Sequence, residues 1–307
     1  MTQIDVTFLG TTASVPTPKR GHPAIHVRYQ SENEHCFLWD CGEGTQRQIF
    51  SSGLNFMRLN NLFITHWHAD HFGGLLGLMQ TMSLERRTES LRVFGPEAEK
   101  FVPDLISIGY AVRGYKIIPV DVPYDGTDVT VLIDDPEYQI VSIPVKHGIP
   151  AVAYGFFEKD RVKIDKHKAK ALGLPDKGPI FKKLKEKGYA VFKGKTVRLK
   201  DISFTERGKR VVYSGDTKIC DNLIKLAENC DLLIHDCTYF EDMERKHSSL
   251  SDILKIYQHA KPKQIVLTHI SRRYQSESEL QEELEELKNP ELISRIRIAR
   301  DFMSIKL

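Results

Sequence analysis

The 307-residue sequence predicts an α/β fold in which apolar strands finish on metal-ligating side chains. Three observations carry this reading. His66-Trp67-His68-Ala69-Asp70-His71 places three imidazoles and a carboxylate directly after an apolar stretch, Asn61–Thr65. Three later β-branched runs also end on ligand types: Val141–Val145 before His147, Val211–Ser214 before Asp216, and Ile265–Thr268 before His269. Segments with helical apolar spacing fill the gaps between the strands.

Taken in order, Ile4–Leu9 and Phe37–Trp39 read as early strands, each running into a glycine turn at Gly10 and Gly42. After the histidine-rich loop, Phe72-Gly73-Gly74-Leu75 allows a sharp reversal into a helix. Pro96-Glu97 signals a helix start and predicts a helix over 96–110. Asn222–Ala227 and Asp252–Tyr257 have helical spacing ahead of strands near 232 and 265. Ser276-x-x-Glu279 reads as a capping box opening a helix with Leu280, Leu284 and Leu287 on one face.

Neutral imidazole nitrogens and carboxylate oxygens suit zinc, at roughly 2.0–2.2 Å. Four ligands on one short loop cannot close around a single tetrahedral ion. His66 and His68 reach one point, and Asp70 and His71 a second, so two adjacent metals are expected. Asp216, with two oxygens, is the natural bridge between them. The expected set is then His66, His68, Asp70, His71, His147, Asp216 and His269.

In order and strand-end placement, these residues resemble the metallo-β-lactamase fold of dinuclear zinc hydrolases. The resemblance implies an αβ/βα sandwich: two mixed sheets face to face, helices outside, metals at one edge. It also makes Asp40, in Asp40-Cys41-Gly42-Glu43-Gly44, a residue that orients a ligand without binding metal.

Charge distribution selects among the chemistries such a fold can host. Residues 159–195 hold thirteen Lys or Arg against four acids, a net +9, within a chain of net +3; the remainder is net −6. A concentrated basic stretch beside a hydrolytic centre suits a polyphosphate backbone. Leu174–Gly188, lying between the His147 and Asp216 strands, resembles the flexible arm of ribonuclease Z, the tRNA 3′ processing endonuclease family. Gly178-Pro179 matches the glycine-proline pair of that arm. His235-Asp236-Cys237-Thr238, His247-Ser248-Ser249 and Ala299-Arg300-Asp301-Phe302 resemble further family motifs, and Pro16–Arg20 resembles a basic loop that contacts tRNA. Two positions depart from the pattern: Asp236 stands where Glu is usual, and Gly21 where Asn is common.

The resemblance implies a single domain over 1–307 with an inserted, protruding tRNA-binding arm over 159–195. The implied activity is zinc-dependent removal of the 3′ trailer from precursor tRNA, with two zinc ions per subunit. Asp70 is the candidate general base, and His247, with its ring held by Asp236, is the candidate acid for the departing 3′ oxygen. The expected RNA-facing residues are Lys19, Arg20, Gly178, Pro179, Lys182, Lys183, Lys185, Lys187 and Arg273. A homodimer is implied through the helix carrying Leu75, Leu78 and Met82, and no DNA partner is expected. The remaining histidines, His22, His26, His35, His167 and His259, have no partner pattern and read as ordinary.

Rival readings are a small-ester or thioester hydrolase of the same fold and a zinc-stabilised RNA-binding protein without catalysis. The first predicts no basic arm, and the second needs neither Asp70 nor His247. Five cysteines without a CxxC pair read as free thiols of a reducing cytoplasm. With neither an 18-residue apolar run nor a basic-then-apolar leader, a soluble intracellular protein is expected.

Overall fold

Two seven-stranded mixed sheets are built from runs that are apolar on both faces. The computed structural model describes residues 2–108, 114–240, 247–274 and 276–307. The first sheet orders its strands Ser304–Lys306, Gln3–Gly10, Ala24–Gln30, Glu34–Trp39, Leu59–Phe63, Leu91–Gly95, Ile117–Asp121. The second orders them Ile296–Ile298, Ile265–Thr268, Leu232–Asp236, Arg210–Tyr213, Val152–Glu158, Tyr138–Pro144, Thr130–Asp134.

The strand Glu34–Trp39 shows why its sequence is continuously apolar. Phe37 and Trp39 point toward the second sheet, where Phe37 lies 6.1 Å from Phe156 and Trp39 stacks on Tyr213 at 5.9 Å. Cys36 and Leu38 face the other way, into a cluster with Ile49, Leu75, Leu78, Met79 and Met82 from two helices. Period-two alternation therefore buries both faces, as a strand covered on each side requires. Phe63 against Tyr154 extends the aromatic layer between the sheets. Truncating one of these rings to alanine would cost about 3–5 kcal/mol.

The chain divides into two compact units. Apart from Tyr138 and Phe157–Glu158 at two strand ends, both sheets belong to the first, which runs to Asp135, resumes over Gln139–Phe156 and closes with Arg210–Leu307. The second comprises Pro136–Tyr138 and Phe157–Lys209. It holds an antiparallel pair, Arg161–Ile164 with Ser203–Glu206, a hairpin, Tyr189–Phe192 with Lys195–Arg198, and two helices, Lys166–Ala171 and Pro179–Lys187. Its own apolar cluster is Ala169, Leu174, Leu184, Ala190, Val197 and Ile202. The basic segment 159–195 lies within this unit, and its boundary at 195 falls inside a hairpin.

Helix boundaries differ modestly from the sequence expectations. Glu97 adopts φ 52°, so the helix predicted over 96–110 begins at Ala98 and runs to Ser107; residues 109 and 110 lie outside the described residues. The Ser276 side chain accepts from the Glu279 amide as predicted, but that helix ends at Glu285 and leaves Leu287 beyond it. Among the described residues, no helix is long and apolar enough to cross a membrane.

Candidate metal centre

All seven expected ligands converge at the C-terminal ends of strands in the first unit. The segment 64–71, whose Asp70 and His71 lie on the short helix Ala69–Phe72, follows Leu59–Phe63; Asp216 follows Arg210–Tyr213, and His269 follows Ile265–Thr268. Two glycines make this convergence possible. A side chain at Gly42 would overlap the Asp70 carbonyl oxygen and the His22 Cβ, so only glycine lets these segments meet. Gly215 has φ 57°, and a Cβ there would sit 2.7 Å from Thr65 Cβ.

The buried Asp40 carboxylate organises one side of the site. It accepts the Thr65 amide at 2.8 Å, the Tyr213 hydroxyl at 2.8 Å and His71 Nδ1 at 2.8 Å. Donation from Nδ1 leaves Nε2 of His71 aimed at Asp216 Oδ2, 3.3 Å away. Thr238 Oγ1 holds His269 Nδ1 in the same manner at 2.8 Å, turning His269 Nε2 toward Asp216 Oδ2 at 3.3 Å.

The ligand atoms fall into overlapping groups. His66, His68 and His147 form one, with Nε2 of His66 at 2.9 Å and Nε2 of His147 at 3.1 Å from His68 Nδ1. Asp70, His71 and His269 form another, with Asp70 Oδ2 3.4 Å from His269 Nε2 and 3.7 Å from His71 Nε2. Asp216 lies between them, its Oδ2 3.8 Å from His66 Nε2 and 3.3 Å from His71 Nε2.

These residues fit cations on three physical grounds. His71 Nε2 and Asp216 Oδ1 are buried and have no hydrogen-bond partner among the described residues, which is costly unless something else satisfies them. Burial works against a charge on His71, yet Asp216 and Asp40 outweigh it and hold its pKa well above the ordinary value; the cavity favours positive charge. Burial, reinforced by the neighbouring His71, holds His66 well below its ordinary value, in the neutral form that ligates metal.

His247 stands beside this cluster, with Nδ1 3.3 Å from Asp236 Oδ2 and 3.7 Å from Asp216 Oδ2. Burial would lower its pKa, but the hydrogen bond to Asp236 and the charge of Asp216 raise it. A histidine whose protonated form is favoured in this way can donate a proton. The Asp236 carboxylate also faces His235 Nδ1, at 3.3 Å from Oδ1, and the short aspartate thus meets both rings.

The expected RNA-facing residues divide. Lys182, Lys183, Lys185 and Lys187 are exposed on the helix Pro179–Lys187, whose buried Leu184 anchors it in the second unit. Gly178 caps that helix at φ 154°, and Pro179 opens it. Lys19 is exposed, and the Arg273 guanidinium lies over the Tyr239 ring at 5.2 Å. Arg20 is half-buried. Its Nη1 donates to Thr11 Oγ1 at 2.8 Å and to the Ala299 carbonyl at 2.6 Å, so this guanidinium braces the loop from within. Sequence reasoning gave no role to Thr238 or Tyr213. Tyr213 sits three residues before Asp216 and Thr238 closes the His235–Thr238 motif, but the partner of each follows another strand.

Two mixed sheets with a His/Asp cluster at their strand ends define a metal-dependent hydrolase of the metallo-β-lactamase fold. A family model described as a beta-lactamase superfamily domain matches residues 194–270, and one described as anti-Pycsar protein Apyc1 matches residues 4–101. Over the whole chain the likeness narrows. A ribonuclease Z of Methanococcus maripaludis is 35% identical, covering 98% of this chain and 99% of its own length. One from Archaeoglobus fulgidus is 37% identical, covering 98% and 97%. The crystal structure of the short form of human tRNase Z matches with a TM-score of 0.67 at 25% identity, covering 98% of each chain. The chain belongs to the ribonuclease Z family.

Proposed function

We propose that this protein is an endoribonuclease that removes the 3′ trailer from precursor tRNA by phosphodiester hydrolysis. The products are a 3′-hydroxyl on tRNA and a 5′-phosphate on the trailer. The observation that carries the reading is the convergence of His66, His68, Asp70, His71, His147, Asp216 and His269 with the His247–Asp236 pair beside them. One cation position falls to His66, His68 and His147, and the other to Asp70, His71 and His269, with Asp216 shared. Bound there, two zinc ions would lower the pKa of the attacking water and neutralise charge on the phosphoryl oxygens.

The chain's own groups supply the remaining chemistry. Asp70 accepts the proton of the attacking water. His247, whose protonated form Asp236 and Asp216 favour, gives its proton to the departing 3′ oxygen as the P–O3′ bond breaks. The exposed lysines at 182, 183, 185 and 187 neutralise phosphates of the tRNA body and hold it by charge. A homodimer working in the cytoplasm completes the proposal.

The test is cleavage of a 3′-extended precursor tRNA, with both new ends mapped, in the presence and absence of chelator. A single cut near the discriminator base, leaving the stated ends and abolished by chelator, is expected. Wild-type protein that holds two metals and makes no cut would overturn the substrate.

A further inference from the structure

We infer that the loop Thr11–Val15, locked by His22, positions the Asp70 carboxylate and decides which of its oxygens faces the metal position. The inference rests on the role proposed above for Asp70. His22 belongs to no ligand or family motif, so nothing in the sequence assigns it a role.

The Ser14 amide donates to Asp70 Oδ2 at 2.9 Å. That same oxygen faces His269 Nε2 and His71 Nε2, whereas Oδ1 takes no hydrogen bond among the described residues. The two oxygens are thereby distinguished: Oδ2 is turned toward the ligand cluster, and Oδ1 remains to accept a proton. A backbone N–H is a suitable device for this, since it carries no formal charge and does not compete for metal.

Presenting that amide requires an unusual backbone. Ser14 adopts φ 52°, in the left-handed region that non-glycine residues avoid at a cost of about 1–2 kcal/mol. Several contacts hold it there. His22 Nε2 lies 3.2 Å from the Ser14 carbonyl oxygen; because a carbonyl only accepts, Nε2 carries the hydrogen. Ala13 donates to the Ile270 carbonyl at 3.0 Å, and Ile270 donates to the Thr11 carbonyl at 2.9 Å. The Thr11 and Thr12 amides both reach the Gly21 carbonyl, at 2.9 and 3.0 Å. The loop is thus tied through Thr11 and Ala13 to the residue following His269, and through Thr11, Thr12 and Ser14 to the segment bearing His22. The Asp70 carbonyl oxygen and the His22 Cβ both crowd the position a side chain at Gly42 would take, so the two residues pack against the same glycine. His22 acts through Ser14 and is a positioning residue.

The experiment compares wild type, His22→Val and His22→Gln. Val removes the donor, and Gln restores an N–H of similar reach. Three quantities are read: kcat and KM on precursor tRNA, kcat on bis(p-nitrophenyl) phosphate, and zinc retained per chain at fixed chelator concentration. For His22→Val the expectation is a fall in kcat of about tenfold on both substrates, with KM for precursor tRNA within about twofold of wild type. Zinc retention should fall by up to one ion per chain. His22→Gln should recover kcat to within about threefold and restore the zinc. Wild-type kcat and zinc retention in His22→Val would overturn the inference. So would equal defects in the Val and Gln variants, which would make the role one of packing. Failure of the proposed function would show instead in wild type, as a chain inactive on precursor tRNA, and the comparison of zinc retention would still be read.

Discussion

At the strand ends Asp40, His71, Asp216 and His269 are buried, and each lies within 3.3 Å of two or more polar side chains. On the helix Pro179–Lys187 four lysines stand in water around a single buried leucine, and the ion pair nearest to them, Lys182 with Glu186 at 3.9 Å, is long and exposed. The first arrangement fixes charge to a fraction of an ångström in a low-dielectric setting, where misplacement is costly. The second keeps charge mobile and solvated, where its sum matters more than any one position. The proposed function assigns chemistry to the first arrangement and grip on RNA to the second, and the two lie in different units.

The comparison is broken most severely by changing the shared carboxylate. Asp216→Asn should lower kcat on both precursor tRNA and bis(p-nitrophenyl) phosphate by about 10⁴-fold or more, with loss of bound zinc by elemental analysis. Activity near wild type would remove Asp216 from the centre.

His247→Ala sharpens the chemical side. The departing 3′ oxygen is a poor leaving group and needs a proton, whereas p-nitrophenolate does not. A loss of about 10³-fold on precursor tRNA, with less than about tenfold on the nitrophenyl diester, is expected from steady-state kinetics. Equal losses on both would assign His247 to structure.

A buried histidine outside the site provides the contrast for charge. Burial first, then the nearby Arg28, push the pKa of His26 down to about 4, so the folded chain keeps it neutral. The unfolded chain takes up the proton as pH falls through about 6.5, and the folded chain does so only near 4. Stability should therefore decline from about pH 6.5 to about 4 by on the order of 3 kcal/mol, and this contribution should flatten below. Denaturant melts of His26→Leu across that window should show the slope reduced.

Arg20 tests where the boundary between the two treatments of charge falls. Its guanidinium is spent on Thr11 and Ala299, so Arg20→Ala should cost about 2 kcal/mol of stability with KM for precursor tRNA unchanged. A raised KM with unchanged stability would return Arg20 to the RNA-facing set.

Much of this contrast could be read in the sequence, for physical reasons. His66, His68, Asp70 and His71 lie in one hexapeptide, and His147, Asp216 and His269 each close an apolar run, so period-two strands and ligand types mark the site together. The lysines of the second unit are adjacent in sequence and declare their charge directly. Its core is less legible: Leu174, Leu184, Ala190, Val197 and Ile202 are spread among charges, and no single window shows that they meet. The tie of Arg20 to Ala299 spans 279 positions and has no local signature. The hydrogen bond from Ser14 to Asp70 uses a backbone amide, which every residue but proline possesses, so no residue type announces it.

The separation of chemistry from grip is the central claim, and one paired measurement tests it most directly. Lys182, Lys183, Lys185 and Lys187 are changed together to alanine, and kcat/KM is measured on precursor tRNA and on bis(p-nitrophenyl) phosphate over a series of salt concentrations. The account predicts a fall of about 10²-fold on the tRNA at low salt, a salt dependence shallower by about two to four charges, and an unchanged rate on the small diester. Parallel loss on both substrates, or an unaltered salt dependence on the tRNA, would contradict it.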